Sequence, residues 1–180
     1  MEVPIPGDAD GAEDTTALIR SATTGDFDDI LRLNAEWAHF TNHLDEPALA
    51  RLHAQAAYHR VVEVDGHVVA FLLALREGAD YDSPNYRWFA DRGGSFLYID
   101  RVIVDTARQG SGLASMLYRD LFAFAESRSI PQVVCELDIE PPNEPSRRFH
   151  DALGFREVGT QLVANGTKRV SLRRAAVAGP

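Results

Sequence analysis

The stretch Val104-Asp105-Thr106-Ala107-Arg108-Gln109-Gly110-Ser111-Gly112-Leu113-Ala114 decides the reading of this chain. It leaves a run of β-branched and aromatic residues at 95–104 (SFLYIDRVIV), which reads as a strand. It enters a segment at 112–127 in which Leu113, Met116, Leu117, Leu121 and Phe124 fall on one helical face. The first turn of a helix leaves its backbone N–H groups unpaired, with the positive end of the dipole behind them. That arrangement suits an anion such as a pyrophosphate. Gly110 and Gly112, with only Ser111 between them and Ala114 just beyond, let phosphate oxygens reach the backbone without meeting side chains. Each N–H donated to a charged oxygen contributes about 1.5–3 kcal/mol, so several together can anchor a ligand. A tight strand–helix turn with nothing bound has the same local pattern, and the surrounding sequence must separate the two. The dinucleotide fingerprint G-x-G-x-x-G does not occur here, nor does the Gly-Lys-Ser/Thr of a nucleotide-triphosphate loop.

Upstream, residues 17–22 read as a short strand. Thr24-Gly25-Asp26 supplies turn and cap chemistry for a helix through Ile30, Leu31, Leu33 and Trp37, and Glu46-Pro47 opens a second helix to about Ala56. Residues 58–64 and 67–75 flank Asp65-Gly66 as a hairpin. The connection 78–94 reads as a long loop dense in aromatics (Tyr81, Tyr86, Trp88, Phe89). Downstream, 132–137 is a buried strand and 146–153 a short helix ended by Gly154. Residues 155–164 and 167–174 pair across Asn165-Gly166. A strand–helix–strand crossover in the second half implies one parallel pair beside otherwise antiparallel strands. The expected fold is α/β: one mixed, mostly antiparallel sheet with helices on both faces. Residues 15–176 form one domain behind an acidic tail at 1–14, too poor in bulky apolar groups to order itself.

At 180 residues, with 45% apolar and 25% charged positions, the chain suits a single soluble domain, and it has no apolar run of membrane-spanning length. The N-terminus lacks the basic start and apolar stretch of a secretory signal, and the one cysteine excludes an internal disulfide, which together point to the cytoplasm. A net charge of −9 argues against nucleic acid and tolerates a cationic acceptor.

Gln109-x-x-Gly112-x-Ala114 matches the Q/R-x-x-G-x-G/A signature of the GNAT superfamily of acyl-CoA N-acyltransferases. Asn143-x-x-Ser146-x-x-Phe149-His150-x-x-Leu153-Gly154-Phe155 resembles that family's second motif, and the element order over about 17–174 is similar too. The strings NYRWF, YIDRV and PPN-x-x-S-x-x-FH-x-x-LGF look like those of a bacterial subgroup. The resemblance implies that acetyl-CoA is the acyl donor. Backbone groups of Val102, Ile103 and Val104 would run beside the pantetheine arm, between two splayed parallel strands. The N–H groups of Gln109, Gly110, Ser111, Gly112, Leu113 and Ala114 would hold the pyrophosphate. Asn143 would bond the pantetheine from the far side, with Ser146 and Phe149 lining the groove.

Acyl transfer needs a base for the amine and is helped by a proton for the departing thiolate. Strict alternation puts Phe96, Tyr98, Asp100, Val102 and Val104 on one face. Asp100 is then a carboxylate near the thioester, where the family often carries its base; an ion pair with Arg101 is the structural alternative. Glu136 could assist, its facing open. His150 stands where the family usually has a tyrosine that protonates the thiolate, and it either donates that proton or packs beside the cofactor. Cys135, in an apolar strand, reads as core, and His39 with His43 lacks a third ligand, so no metal site is expected. The segment 81–89, with Trp37 and Phe40, either walls an acceptor pocket or caps the sheet. The implied activity is acetyl transfer to a primary amine of a small molecule or peptide, by a monomer or homodimer. A CoA-binding module without catalysis and a transferase of bulkier acyl groups are the alternatives.

Overall fold

Residues 16–37, 43–140 and 142–178 are described by a computed structural model. Strand β1 (Leu18–Ser21) passes through a single 3-10 turn into helix α1 (Phe27–Glu36), followed by α2 (Glu46–Gln55). Asp45 caps α2 by accepting the Ala48 N–H at 2.8 Å, with Pro47 in its first turn. Next come β2 (Tyr58–Val64), β3 (His67–Arg76), α3 (Pro84–Ala90) and β4 (Leu97–Val104). Then α4 (Leu113–Ser127), β5 (Gln132–Glu140), α5 (Glu144–Ala152), β6 (Arg156–Val163) and β7 (Lys168–Ala176) complete the chain. The strands form one sheet in the order β1-β2-β3-β4-β5-β7-β6, with β4 and β5 its parallel pair. The mixed α/β architecture expected from the sequence is the one observed.

Each face of the sheet has its own core. One packs Ile30 and Leu33 of α1, Leu49 of α2 and Tyr86 and Phe89 of α3 against Phe71, Leu73, Tyr98 and Val134. The other packs Leu113, Leu117, Tyr118 and Leu121 of α4, with Phe155, against Leu72, Leu97, Ile99 and Val133. Alternate residues of β3 and β5 thus enter opposite cores, which is why these central strands read as nearly continuous apolar runs.

Two expectations are corrected. The connection 78–94 is not a plain loop, because Ser83 and Pro84 start α3 as N-cap and first helical residue, and Tyr86 and Phe89 enter the core from it. Nor do Val102 and Val104 share a face with Tyr98 and Asp100. The β3–β4 register jumps from Ala74 opposite Ile99 to Leu73 opposite Arg101, leaving Asp100 as the extra residue of a β-bulge. A bulge shifts the alternation by one. Phe96 and Tyr98 lie in the α1–α3 core, whereas Val102 and Val104 pack on the α4 side.

Candidate active site

The bulge also shapes the cleft. Strands β4 and β5 pair only at Leu97 with Val133 and Tyr98 with Val134, and beyond Tyr98 they part. The opened strands, α4 and α5 enclose a cavity of about 870 Å³. Its wall includes Val102, Ile103, Val104 and the loop 108–114 on one side, and Asn143, Ser146, Phe149 and His150 on the other. Every site residue read from the sequence, Asp100 included, therefore borders one cleft.

The loop between β4 and α4 has the expected character. Gly112 is the residue before the helix, at φ +82°, and Gly110 sits at φ +75°. A Cβ added at either would meet nothing within 4 Å, so the space above the loop is open for ligand oxygens. Among the described residues, the backbone N–H groups of Gln109, Gly110, Gly112, Leu113 and Ala114 donate to no backbone carbonyl. The Ser111 N–H reaches only the Arg108 carbonyl, at 3.4 Å. These donors fit a pyrophosphate. Asn143 caps α5 through Oδ1, accepting the Ser146 N–H at 3.2 Å, which turns its amide nitrogen toward other partners. The Val104 carbonyl already accepts from the Trp37 indole at 3.0 Å, so α1 and the cofactor strand are tied together.

The two carboxylates differ. Asp100 is enclosed, its side chain 3% exposed, held by Arg101 Nε at 2.6 Å and by the Tyr81 hydroxyl. Arg101 in turn donates to Asn34 of α1 at 2.7 Å. The ion pair weighed from the sequence is present. Glu136 lies on the β5 face that carries Val134, half-buried, and borders the cavity. It accepts from the Tyr98 hydroxyl at 2.8 Å. Burial pushes its carboxyl up to about 7, the Tyr98 bond holds it down and the charge of Asp100 adds to the rise. A carboxyl balanced near neutrality can take up and release a proton at working pH.

His150 is buried beneath the cavity, its ring edge-on to Tyr118, Phe149 and Phe155. Nδ1 lies 2.8 Å from the Ser146 carbonyl, which only accepts, so Nδ1 carries a hydrogen. In the neutral ring Nε2 is then an acceptor, and it takes the Tyr118 hydroxyl at 2.7 Å. Burial, the largest influence, pulls the histidine below its ordinary value. Neutral His150 thus has no N–H left for a sulfur atom. Cys135 is buried, and its thiol is pushed well up by that burial, which keeps it protonated.

Sequence reasoning passed over Tyr118, although its spacing from Leu117 and Leu121 marked it as interior. It also missed Asp138 and Lys168, ion-paired at 2.8 Å on the cavity wall. Trp37, Tyr81, Ser83, Pro84 and Asn85 line the same cavity, while Tyr86 and Phe89 build core. The aromatic segment is thus divided between cavity wall and core. Phe40, His39 and the tail at 1–14 lie outside the described residues.

A strand-to-helix phosphate cradle beside a bulge-splayed parallel pair defines a protein class, and residues 25–155 match the family model described as the acetyltransferase (GNAT) family. The chain belongs to that family, whose chemistry is acyl transfer from acetyl-CoA. Among curated relatives, the phosphinothricin N-acetyltransferase of Streptomyces viridochromogenes is 35% identical over 104 residues. That match covers 58% of this chain and 50% of the relative, so the chain spans half the length of the protein it matches. Among solved structures, the ribosomal-protein-S18-alanine N-acetyltransferase of Escherichia coli superposes with a TM-score of 0.69 at 15% identity, over 92% of this chain and 96% of that one. Salmonella typhimurium yncA, solved with its cofactor acetyl-CoA, gives 0.69 at 19% identity over the same shares, 92% and 96%. At these identities the structural likeness shows the fold. No helix among the described residues is long and apolar enough to cross a membrane.

Proposed function

We propose that this chain moves the acetyl group of acetyl-CoA to a primary amine of a small molecule or peptide, with Glu136 as the base. The observation that carries the reading is the position of Glu136. Its carboxyl borders the cleft where β4 and β5 part, and its proton affinity lies at about 7. Glu136 takes the proton of the incoming amine. The new C–N bond forms, the C–S bond breaks, and the electron pair leaves on sulfur. Val102 to Val104 run beside the pantetheine arm, the amides of 109–114 hold the pyrophosphate, and Asn143, Ser146 and Phe149 close the groove. His150 serves the departing thiolate through Tyr118: a second proton, on Nε2, is donated to the Tyr118 hydroxyl, which then turns its own proton to the sulfur.

Asp100 as base is the second reading, favoured by its place in the same cavity wall. Against it stands the ion pair with Arg101 at 2.6 Å, which with the Tyr81 hydroxyl already occupies the carboxylate. The test is release of free thiol from acetyl-CoA by the purified protein in the presence of a panel of primary amines. Release with at least one amine, rising as pH climbs through about 7, supports the reading. Tight CoA binding with no release across the panel would make the chain a non-catalytic CoA-binding module. A faster rate with propionyl- or butyryl-CoA would assign it a bulkier donor.

A further inference from the structure

In a regular strand successive side chains point to opposite faces, so adjacent residues cannot pair with each other. Asp100 and Arg101 do pair, at 2.6 Å, because Asp100 is the extra residue of the β-bulge in β4. The bulge and the ion pair hold each other, since a straightened strand would carry the two charges to opposite faces and leave them unpaired. Both side chains are enclosed, Asp100 at 3% and Arg101 at 9% exposure, so their charges depend on protein partners. Two further elements close on the pair. Tyr81, before α3, donates its hydroxyl to Asp100 Oδ1, and Arg101 Nη1 donates to Asn34 Oδ1 of α1 at 2.7 Å. Asn34 is itself buried, beside the residues of α1 that enter the core.

Helix α1 meets the same stretch of chain twice more. The Trp37 indole donates to the Val104 carbonyl at 3.0 Å, and Arg32 reaches the Asp105 carboxylate at 3.5 Å. The helix thus follows residues 101–105, where the chain has left β5 and β3 is the one strand still beside β4. A strand edge stripped of its partner is a template for new pairing. Here the nearest edge is the one it left, and pairing with β5 again would close the cleft. We propose that Asn34 is a positioning residue for acetyl-CoA: through Arg101 it locks the Asp100 bulge, and so holds 102–104 at the distance from β5 that the pantetheine arm requires. This rests on the reading that the arm lies beside Val102, Ile103 and Val104. Asn34 does not border the cavity, so its effect on the cofactor passes through β4.

Calorimetric titration of the full chain with CoA, together with residue-resolved amide exchange by NMR, reads this without any acceptor. Asn34→Leu keeps the volume and removes the oxygen to which Arg101 donates. Its affinity for CoA should fall about tenfold or more. Exchange should quicken at 100–104, while Leu97 and Tyr98, which lie between β3 and β5, keep wild-type protection. Tyr81→Phe keeps the ring and removes the donation to Asp100; it should move both readings the same way by less, and it carries the test if Asn34→Leu does not fold. Leu49→Val loosens the same core from α2 and leaves the network whole, so it should lower the melting temperature with CoA affinity unchanged. Wild-type CoA affinity in the folded Asn34 and Tyr81 variants overturns the positioning role. So does exchange that quickens evenly along β4, or an equal loss of affinity in Leu49→Val, since either marks a general loss of stability. Near-normal affinity in Gly112→Val overturns instead the cofactor cleft on which the proposal rests.

Discussion

The two ends of the cleft are built on different principles. At the end proposed for the phosphates, a glycine-rich turn and the start of α4 expose main-chain amides, and no side chain has to be aimed. At the end proposed for the acceptor, one carboxylate accepts from Tyr98 of β4, while a second is paired with the arginine next to it. Backbone sites depend on local geometry and tolerate most neighbours. Side-chain networks depend on several elements arriving in register, and removing one member leaves the others buried without partners. The first kind of site binds; the second adjusts proton affinity.

The comparison breaks most visibly at the carboxylates. Glu136→Gln should lower turnover about 10²–10⁴-fold with little change in CoA affinity. It should also stabilise the fold above neutrality. A carboxyl whose folded value is raised to about 7 favours folding below its unfolded value and loses that contribution as pH rises through 7. Asp100→Asn strips the charge partner from the buried Arg101, so its main cost should be stability, about 3 kcal/mol in denaturant titration. Turnover lost in folded Asp100→Asn but kept in Glu136→Gln would exchange the two roles.

At the phosphate end, Gly112→Val should cost about 10³-fold in CoA affinity by calorimetry, because its methyls fill the open space over the amides and its φ of +82° strains a β-branched residue. Near-normal affinity would sink the cradle. Between the two ends, His150→Phe should lower the rate by up to about 10²-fold at pH 6 and progressively less toward pH 9, since only imidazolium can pass a proton to the Tyr118 hydroxyl. His150→Tyr should recover part of the loss. A loss independent of pH would reduce His150 to packing against Tyr118.

The last effect lies away from the cleft, where α2 meets β2. His59 is buried in contact with His53, Nδ1 to Nδ1 at 2.9 Å, and its Nε2 has no partner among the described residues. Burial, then the charge of His53, pulls it down to about 4. The unfolded chain binds this proton more tightly, so stability is full above about pH 6.5 and falls as pH drops toward 4, by about 3 kcal/mol. His59→Gln should flatten thermal melts over that window. An equally steep pH dependence in the variant would place the acid sensitivity elsewhere.

The sequence by itself determined the mixed sheet, the succession of its elements along the chain and the glycine turn before α4. Each of these rests on contiguous residues: the period of a strand, Asp65-Gly66 and Asn165-Gly166 at reversals, Gly110 and Gly112 beside a helix start. It also named His150, Asn143, Ser146 and Phe149, which border the cleft as expected, because a motif on one helix keeps its spacing when the helix forms. It did not determine which carboxylate is free. That depends on an extra residue at Asp100, visible only when β3 and β4 are laid side by side, and on a helix start at Ser83-Pro84 hidden among aromatics. The pairing of Gln161 with Asn85 spans 76 positions, and no periodicity or local propensity records such a contact. Proton affinity is set by burial and by neighbours in space, so only the tertiary structure could decide it.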